Sequence, residues 1–181
     1  MSKILISEFI NKNSLNRLKN FFKVHYDEKL WKYPKKITRI IKDFDCLIVR
    51  NKTLVNKNLL DRANKIRLVG RLGVGMDNID TEYCYLKKIH IQPATGMNAD
   101  SVAEYVGTCS LFLIKKISLF HKETLKGKWP RTSINSEELK GKNLGIIGYG
   151  SVGKKVSEYC AKIGLEIIVH DKYLKKFKKK K

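Results

Sequence analysis

The sequence predicts an α/β protein built on parallel sheets and organised as two successive units. Three observations carry this. Short apolar runs alternate with helical segments over residues 3–91, a βαβα series. A long segment with one apolar face then separates that series from the rest. Beyond it an apolar run enters the glycine-rich stretch Gly148-Tyr149-Gly150-Ser151-Val152-Gly153, followed by a helical pattern and a second apolar run.

Residues 3–7 read as a strand, 15–22 as an amphipathic helix, and 34–44 as a helix whose Pro34 is tolerated in a first turn. Cys46, Leu47, Ile48 and Val49 form a second strand, followed by a helix over 57–63. Residues 67–69 open a third strand that runs into Gly73-Val74-Gly75. A short helix over 81–88 precedes a strand at 89–91. The apolar strands alternate with helices, so the sheet is parallel and covered on both faces. A single long helix is expected over 100–126, capped by Asn98 or Asp100, with Val102, Val106, Cys109, Leu113 and Ile117 at helical spacing. It serves as a connector, and the unit boundary falls at 94–98. Residues 127–138, polar and containing Pro130, form a loop.

The glycine-rich stretch sits between a strand, Leu144 to Ile147, and a helix whose apolar positions are Val152, Val156, Cys160 and Ile163 before Gly164 closes it. Gly148 permits a tight turn. Gly150 has no side chain to keep a pyrophosphate from the backbone, and Gly153 lets helix and strand lie close, so first-turn amides face the anion. Ile167, Ile168 and Val169 make the next strand. Asp171 at its end is placed to accept hydrogen bonds from an adenosine ribose, and its charge favours NAD over NADP, an argument that Lys172 weakens. A glycine-rich turn in an ordinary βα unit explains the glycines alone, but strand, helix and acid in register point to dinucleotide binding.

Composition bounds the rest. With 43% hydrophobic residues in 181, the chain can bury a core. Cys46, Cys84, Cys109 and Cys160 are scattered singly, without metal-like spacing, and read as reduced core residues of a cytoplasmic protein. No run is long enough for a signal peptide or a membrane span. The formal charge of +21 invites a nucleic-acid reading, but the lysines are spread along the chain without an Arg-rich helix or interleaved aromatics. Specific nucleic-acid binding is not expected. Residues 172–181 form a like-charge block expected to be a disordered tail.

Four blocks together resemble one family, the D-isomer-specific 2-hydroxyacid dehydrogenases, which include phosphoglycerate dehydrogenase. They are Val69-Gly70-Arg71-Leu72-Gly73-Val74-Gly75-Met76-Asp77-Asn78-Ile79-Asp80; Asn98-Ala99-Asp100-Ser101-Val102-Ala103-Glu104-Tyr105; Gly127-Lys128-Trp129-Pro130-Arg131; and the stretch from Glu138 through Gly153. The resemblance implies a flavodoxin-like parallel-sheet substrate domain at 1–97. It implies the connecting helix and the first βαβ part of a Rossmann NAD-binding domain at 98–171. In the family, backbone at the Gly73, Val74 and Gly75 positions offers amides to the substrate carboxylate, and Arg50-Asn51 matches a region that contacts substrate in some members. Asn98 falls at the hinge. From the residues alone, a strand ending in a tight turn accounts equally for Gly73 to Gly75, a solvated surface charge for Arg50, and helix capping for Asn98.

The implied activity is hydride transfer between NAD and the 2-carbon of a small 2-hydroxy or 2-keto acid. The residues around Arg50 do not distinguish phosphoglycerate, sulfolactate or another such acid. The family's catalytic Arg, Glu and His match nothing in this chain. His25, His90, His121 and His170 fall outside matching positions, so no catalytic residue and no metal ligand is assigned. Three readings follow: a fragment inactive alone, one half of a split enzyme, or a non-catalytic NAD-binding or sensing module. Members commonly form homodimers through the NAD-binding domain, which here remains only an expectation. The strand at 144–147 should expose an apolar edge.

Overall fold

The computed structural model describes residues 1–174 and the strand Lys179–Lys180. They form two compact units, Met1–Thr95 and Gly96–Lys181.

In the first unit the strands are β1 (Lys3–Ile6), β2 (Lys23–Tyr26), β3 (Cys46–Val49), β4 (Leu68–Arg71) and β5 (His90–Pro93). All neighbours pair in parallel in the order β2-β1-β3-β4-β5, the flavodoxin-like arrangement. Alternation along the strands divides the core. Leu5, Leu47, Val49 and Val69 face one way, packed with Ile37 of α2 (Pro34–Ile40), Leu59 and Leu60 of α3 (Lys57–Leu60) and Cys84 of α4 (Thr81–Leu86). Ile4, Ile6 and Cys46 face the other way, under Leu15 of α1 (Lys12–Phe21). Burying each such aliphatic side chain is worth about 1.5–3 kcal/mol, so both faces contribute.

Several boundaries differ from expectation. Strand β2 is not signalled by the sequence, because only Val24 and Tyr26 turn inward and both are half-buried. It exists through its pairing with β1. Helix α1 starts three residues earlier than its apolar pattern, where the Asn11 side chain accepts the Asn13 amide at 2.9 Å. Helix α2 tightens into a 3-10 turn at Ile41–Asp43. Helix α3 ends at Leu60 rather than Ala63.

The second unit contains α5 (Ala99–Ile114), α6 (Ile117–Leu125), β6 (Asn143–Ile147), α7 (Ser151–Lys162), β7 (Glu166–His170) and β8 (Lys179–Lys180). The single helix expected over 100–126 is in fact two. Lys116 takes a left-handed conformation at φ 51°, and its amide bonds the Leu113 carbonyl, which ends α5. No Gly or Pro marks this break, so local composition could not reveal it. Asn98 occupies the N-cap position of α5, but its side chain makes no capping bond.

Helices α5 and α7 pack closely, because a Cβ at Gly107 would overlap the Tyr159 ring. Lys155 meets Asp100 at 3.0 Å across the same pair. Ala103, Val156, Cys160, Ile167 and Val169 form the core there. Gly164, at φ 100°, ends α7, and the Leu165 amide returns to the Cys160 carbonyl. Strands β6 and β7 are parallel, with Leu144 beside Ile167 and Ile146 beside Val169. Among the described residues β6 lies at the edge of this sheet, and its Ile147 is 90% exposed. The tail departs from expectation where it is described: Lys179–Lys180 pair antiparallel with Ile167 and Ile168. The unpaired edge of β7 offers backbone partners that two lysines can use without a core. Residues 175–178 and 181 lie outside the described part.

Candidate functional site

The glycine loop of the second unit joins β6 to α7, and its three glycines do different work. Gly148 has φ 94°, a backbone that side chains rarely adopt, and its amide donates to the His170 carbonyl at 2.8 Å. A Cβ at Gly150 would meet nothing within 4 Å, so the approach to the backbone is open. A Cβ at Gly153 would strike the Gly148 carbonyl oxygen, so only glycine lets α7 start this close to the loop. Ser151, Val152 and Gly153 form the first turn, whose amides lack intrahelical partners by construction. The loop lines a hollow of about 520 Å³ with Val102, Val106 and Leu144.

Asp171 follows β7 and reaches this loop. One carboxylate oxygen accepts the Tyr149 amide at 2.7 Å, and the other accepts the Tyr173 amide at 2.8 Å. The Tyr149 amide above all, then the Tyr173 amide, hold its carboxyl below the usual carboxylate range. The fold therefore delivers an ionised acid to the loop, with lone pairs left for further donors. Open space at Gly150, close packing at Gly153 and this acid together fit the pyrophosphate and ribose of a dinucleotide.

A second constellation lies at the carboxyl ends of β1, β3 and β4 in the first unit, the edge where open α/β sheets bind ligands. Val49 pairs with Arg71, so the segments that begin at Arg50 and Leu72 leave the sheet side by side. Arg50 and Asn51 are exposed, with the Arg50 guanidinium 5.9 Å from the Phe9 ring centre. Val74 is also exposed, while the Gly73 amide already donates to the Arg71 carbonyl at 2.8 Å. The fold thus brings Arg50, Asn51, Gly73, Val74 and Gly75 to one sheet edge. Asn98 belongs to the other unit, exposed at the start of α5.

Three further residues at this edge are not among the expected site residues, although Arg71 and Asn78 lie within the Val69 to Asp80 block. Glu8 is 3% exposed, and its carboxylate accepts the amides of Arg50 and Thr53 at 2.9 Å and of Lys52 at 3.1 Å. Burial pushes that carboxyl up, but the Thr53, Arg50 and Lys52 amides with the Thr53 hydroxyl outweigh it and leave it below the ordinary range. Asn78 donates to the Arg50 and Thr53 carbonyls at 3.0 and 2.8 Å. Arg71 folds its guanidinium over Gly73 and donates to the Leu72 carbonyl at 3.1 Å, while its buried Nε has no hydrogen-bond partner among the described residues.

The four histidines are exposed. All four cysteines are free, three of them buried, and burial pushes the Cys46 and Cys84 thiols up to about 11. Among the described residues no group of three or more His, Cys, Asp or Glu could hold a metal ion, and no helix is long and apolar enough to cross a membrane.

Residues 4–170 match the family model of the D-isomer specific 2-hydroxyacid dehydrogenase catalytic domain. The chain is 36% identical over 174 residues to (S)-sulfolactate dehydrogenase of Chromohalobacter salexigens, covering 96% of this chain and 56% of that protein. It is 33% identical over 176 residues to D-3-phosphoglycerate dehydrogenase of Methanocaldococcus jannaschii, covering 97% of this chain and 33% of the relative. Among solved structures, NAD+-bound 3-phosphoglycerate dehydrogenase of Entamoeba histolytica superposes with a TM-score of 0.71 at 28% identity, over 97% of this chain and 55% of that one. The chain thus spans between a third and somewhat over half of these relatives, and solved relatives include both NAD- and NADP-bound forms. The chain belongs to the D-isomer specific 2-hydroxyacid dehydrogenase family.

Proposed function

We propose that this chain supplies the substrate-binding sheet edge and the first nucleotide-binding βαβ of an NAD-dependent dehydrogenase acting on a small D-2-hydroxy acid of the phosphoglycerate or sulfolactate kind. The observation that carries it is the Asp171 carboxylate held against the glycine loop, where an ionised acid favours ribose hydroxyls and repels a 2'-phosphate. When bound, NAD accepts or returns the hydride. The chain's residues bind and orient: first-turn amides of α7 take the pyrophosphate, Asp171 takes the ribose, and the Gly73 to Gly75 segment, through its Val74 and Gly75 amides, takes the acid together with Arg50 and Asn51. Asn98 is assigned to the substrate-binding residues.

The family's Arg, Glu and His match no position here, so hydride transfer requires them from outside these residues, and the 181-residue chain alone is inactive. This is what favours a second reading, a non-catalytic NAD-binding module or one half of a split enzyme. Calorimetric titration tests the cofactor assignment that these readings share. NAD binding well ahead of NADP supports the assignment, and equal or absent binding overturns it. Turnover only on mixing with a polypeptide that carries the missing Arg, Glu and His identifies the split form. We assign the protein to the cytoplasm, with free cysteines in support, and no specific nucleic-acid partner; elution from a polyanion column at moderate salt is expected. A homodimer through the exposed apolar residues of α5 and α6, including Leu113 and Leu119, is testable by light scattering.

A further inference from the structure

The loop from Arg50 to Thr53 is held from both sides of its backbone by residues distant in sequence. Glu8 takes the amides of Arg50, Lys52 and Thr53, and Asn78 donates to the carbonyls of Arg50 and Thr53. The Ser7 and Thr53 hydroxyls, both buried, bond at 2.8 Å. Backbone polar groups are thereby anchored inward while the side chains of Arg50, Asn51 and Lys52 stay exposed. We propose that Glu8 and Asn78 are positioning residues for the substrate: they set the path of this loop so that the side chains of Arg50 and Asn51 meet the anionic groups of a small 2-hydroxy acid in one orientation.

Two physical points support a role beyond packing. A buried carboxylate is costly unless fully hydrogen-bonded, and among the described residues Glu8 meets that cost with loop amides rather than with a cation. Second, an amide bound to Glu8 is not available to an incoming anion. Of the four loop amides, Glu8 leaves only that of Asn51, so recognition by this loop falls to its side chains, whose placement depends on the clamp. Preorganising such groups before substrate arrives lowers the ordering cost of binding. The proposal rests on the reading of Arg50 and Asn51 as substrate contacts.

The test uses the full 181-residue chain, with amide hydrogen exchange and shift titration by D-3-phosphoglycerate and (S)-sulfolactate. Glu8→Gln and Asn78→Ala should each speed exchange at Thr53 and weaken the tighter of the two acids by about tenfold, the usual cost of misplacing a binding group. Glu8→Asp should recover part of the loss. Ile41→Val, a core change outside the loop, should lower the melting temperature yet leave affinity within about twofold. Asn78→Ala removes no charge and serves if Glu8→Gln does not fold. Loosened loop amides with undiminished affinity would overturn the positioning role and leave the substrate reading standing. Protected amides in a wild-type chain that binds neither acid would bring down the substrate reading, and the positioning role with it.

Discussion

The Asp171 carboxylate accepts the backbone amide of Tyr149 at 2.7 Å, tying the end of β7 to the glycine loop 22 residues earlier. The acid that should bind ribose therefore also shapes the loop that should bind pyrophosphate. Replacing it should affect both. Asp171→Ala should weaken NAD by roughly tenfold, the worth of about one charge-assisted hydrogen bond, and speed exchange of the Tyr149 amide. It should also narrow the preference for NAD over NADP, read by parallel titrations. Unchanged preference would show that Asp171 only shapes the loop.

Gly153→Ala places a methyl group against the Gly148 carbonyl, which is backbone and cannot rotate away. Helix α7 must shift, at a cost of about 1–3 kcal/mol typical of overpacking. Thermal unfolding should show this loss, together with weaker NAD binding. Gly150→Ala meets open space, so it should melt like wild type and lose affinity only.

Glu8 makes stability depend on pH. Its folded carboxyl lies below the ordinary value of 4.5, so its contribution is fully present above that value and is lost as pH falls through the folded pKa. Glu8→Gln should cost about 1–3 kcal/mol at pH 7, because it sets an amide donor against backbone donors. The gap between variant and wild type should narrow as pH drops below 4.5. Denaturant midpoints at several pH values check this. A gap that widens in acid would contradict the assignment.

Thiol labelling should distinguish the cysteines. Cys46 and Cys84, held near 11 by burial, carry almost no thiolate at pH 8, whereas Cys109 is only half-buried. In the native chain Cys109 should label first, and Cys46 and Cys84 only on unfolding. Early modification of Cys46 would indicate local opening of β3.

Strand β6 leaves Ile147 90% exposed at a sheet edge. The chain expressed alone should be marginally soluble, and Ile147→Lys should reduce aggregation at equal concentration by charging that edge. A monodisperse wild-type chain with a sharp, cooperative melt would count against this.

The sequence by itself determined the glycine loop, the acid at Asp171, most of the parallel strands and the family. These depend on short-range chemistry: a residue that must tolerate positive φ, a short continuous apolar run, an acid at a strand end. Only the tertiary structure decided β2, the break of the connecting helix at Lys116, and the clamp on the Arg50 loop. Strand β2 has two inward residues and exists because β1 offers it a ladder. The break at Lys116 uses a left-handed lysine that no propensity favours. Glu8 bonds amides 42 to 45 residues away, a relationship that no local window contains. Local pattern sets backbone conformation and burial, whereas the pairing of polar groups across the chain is set only when the sheet brings the ends of β1, β3 and β4 together.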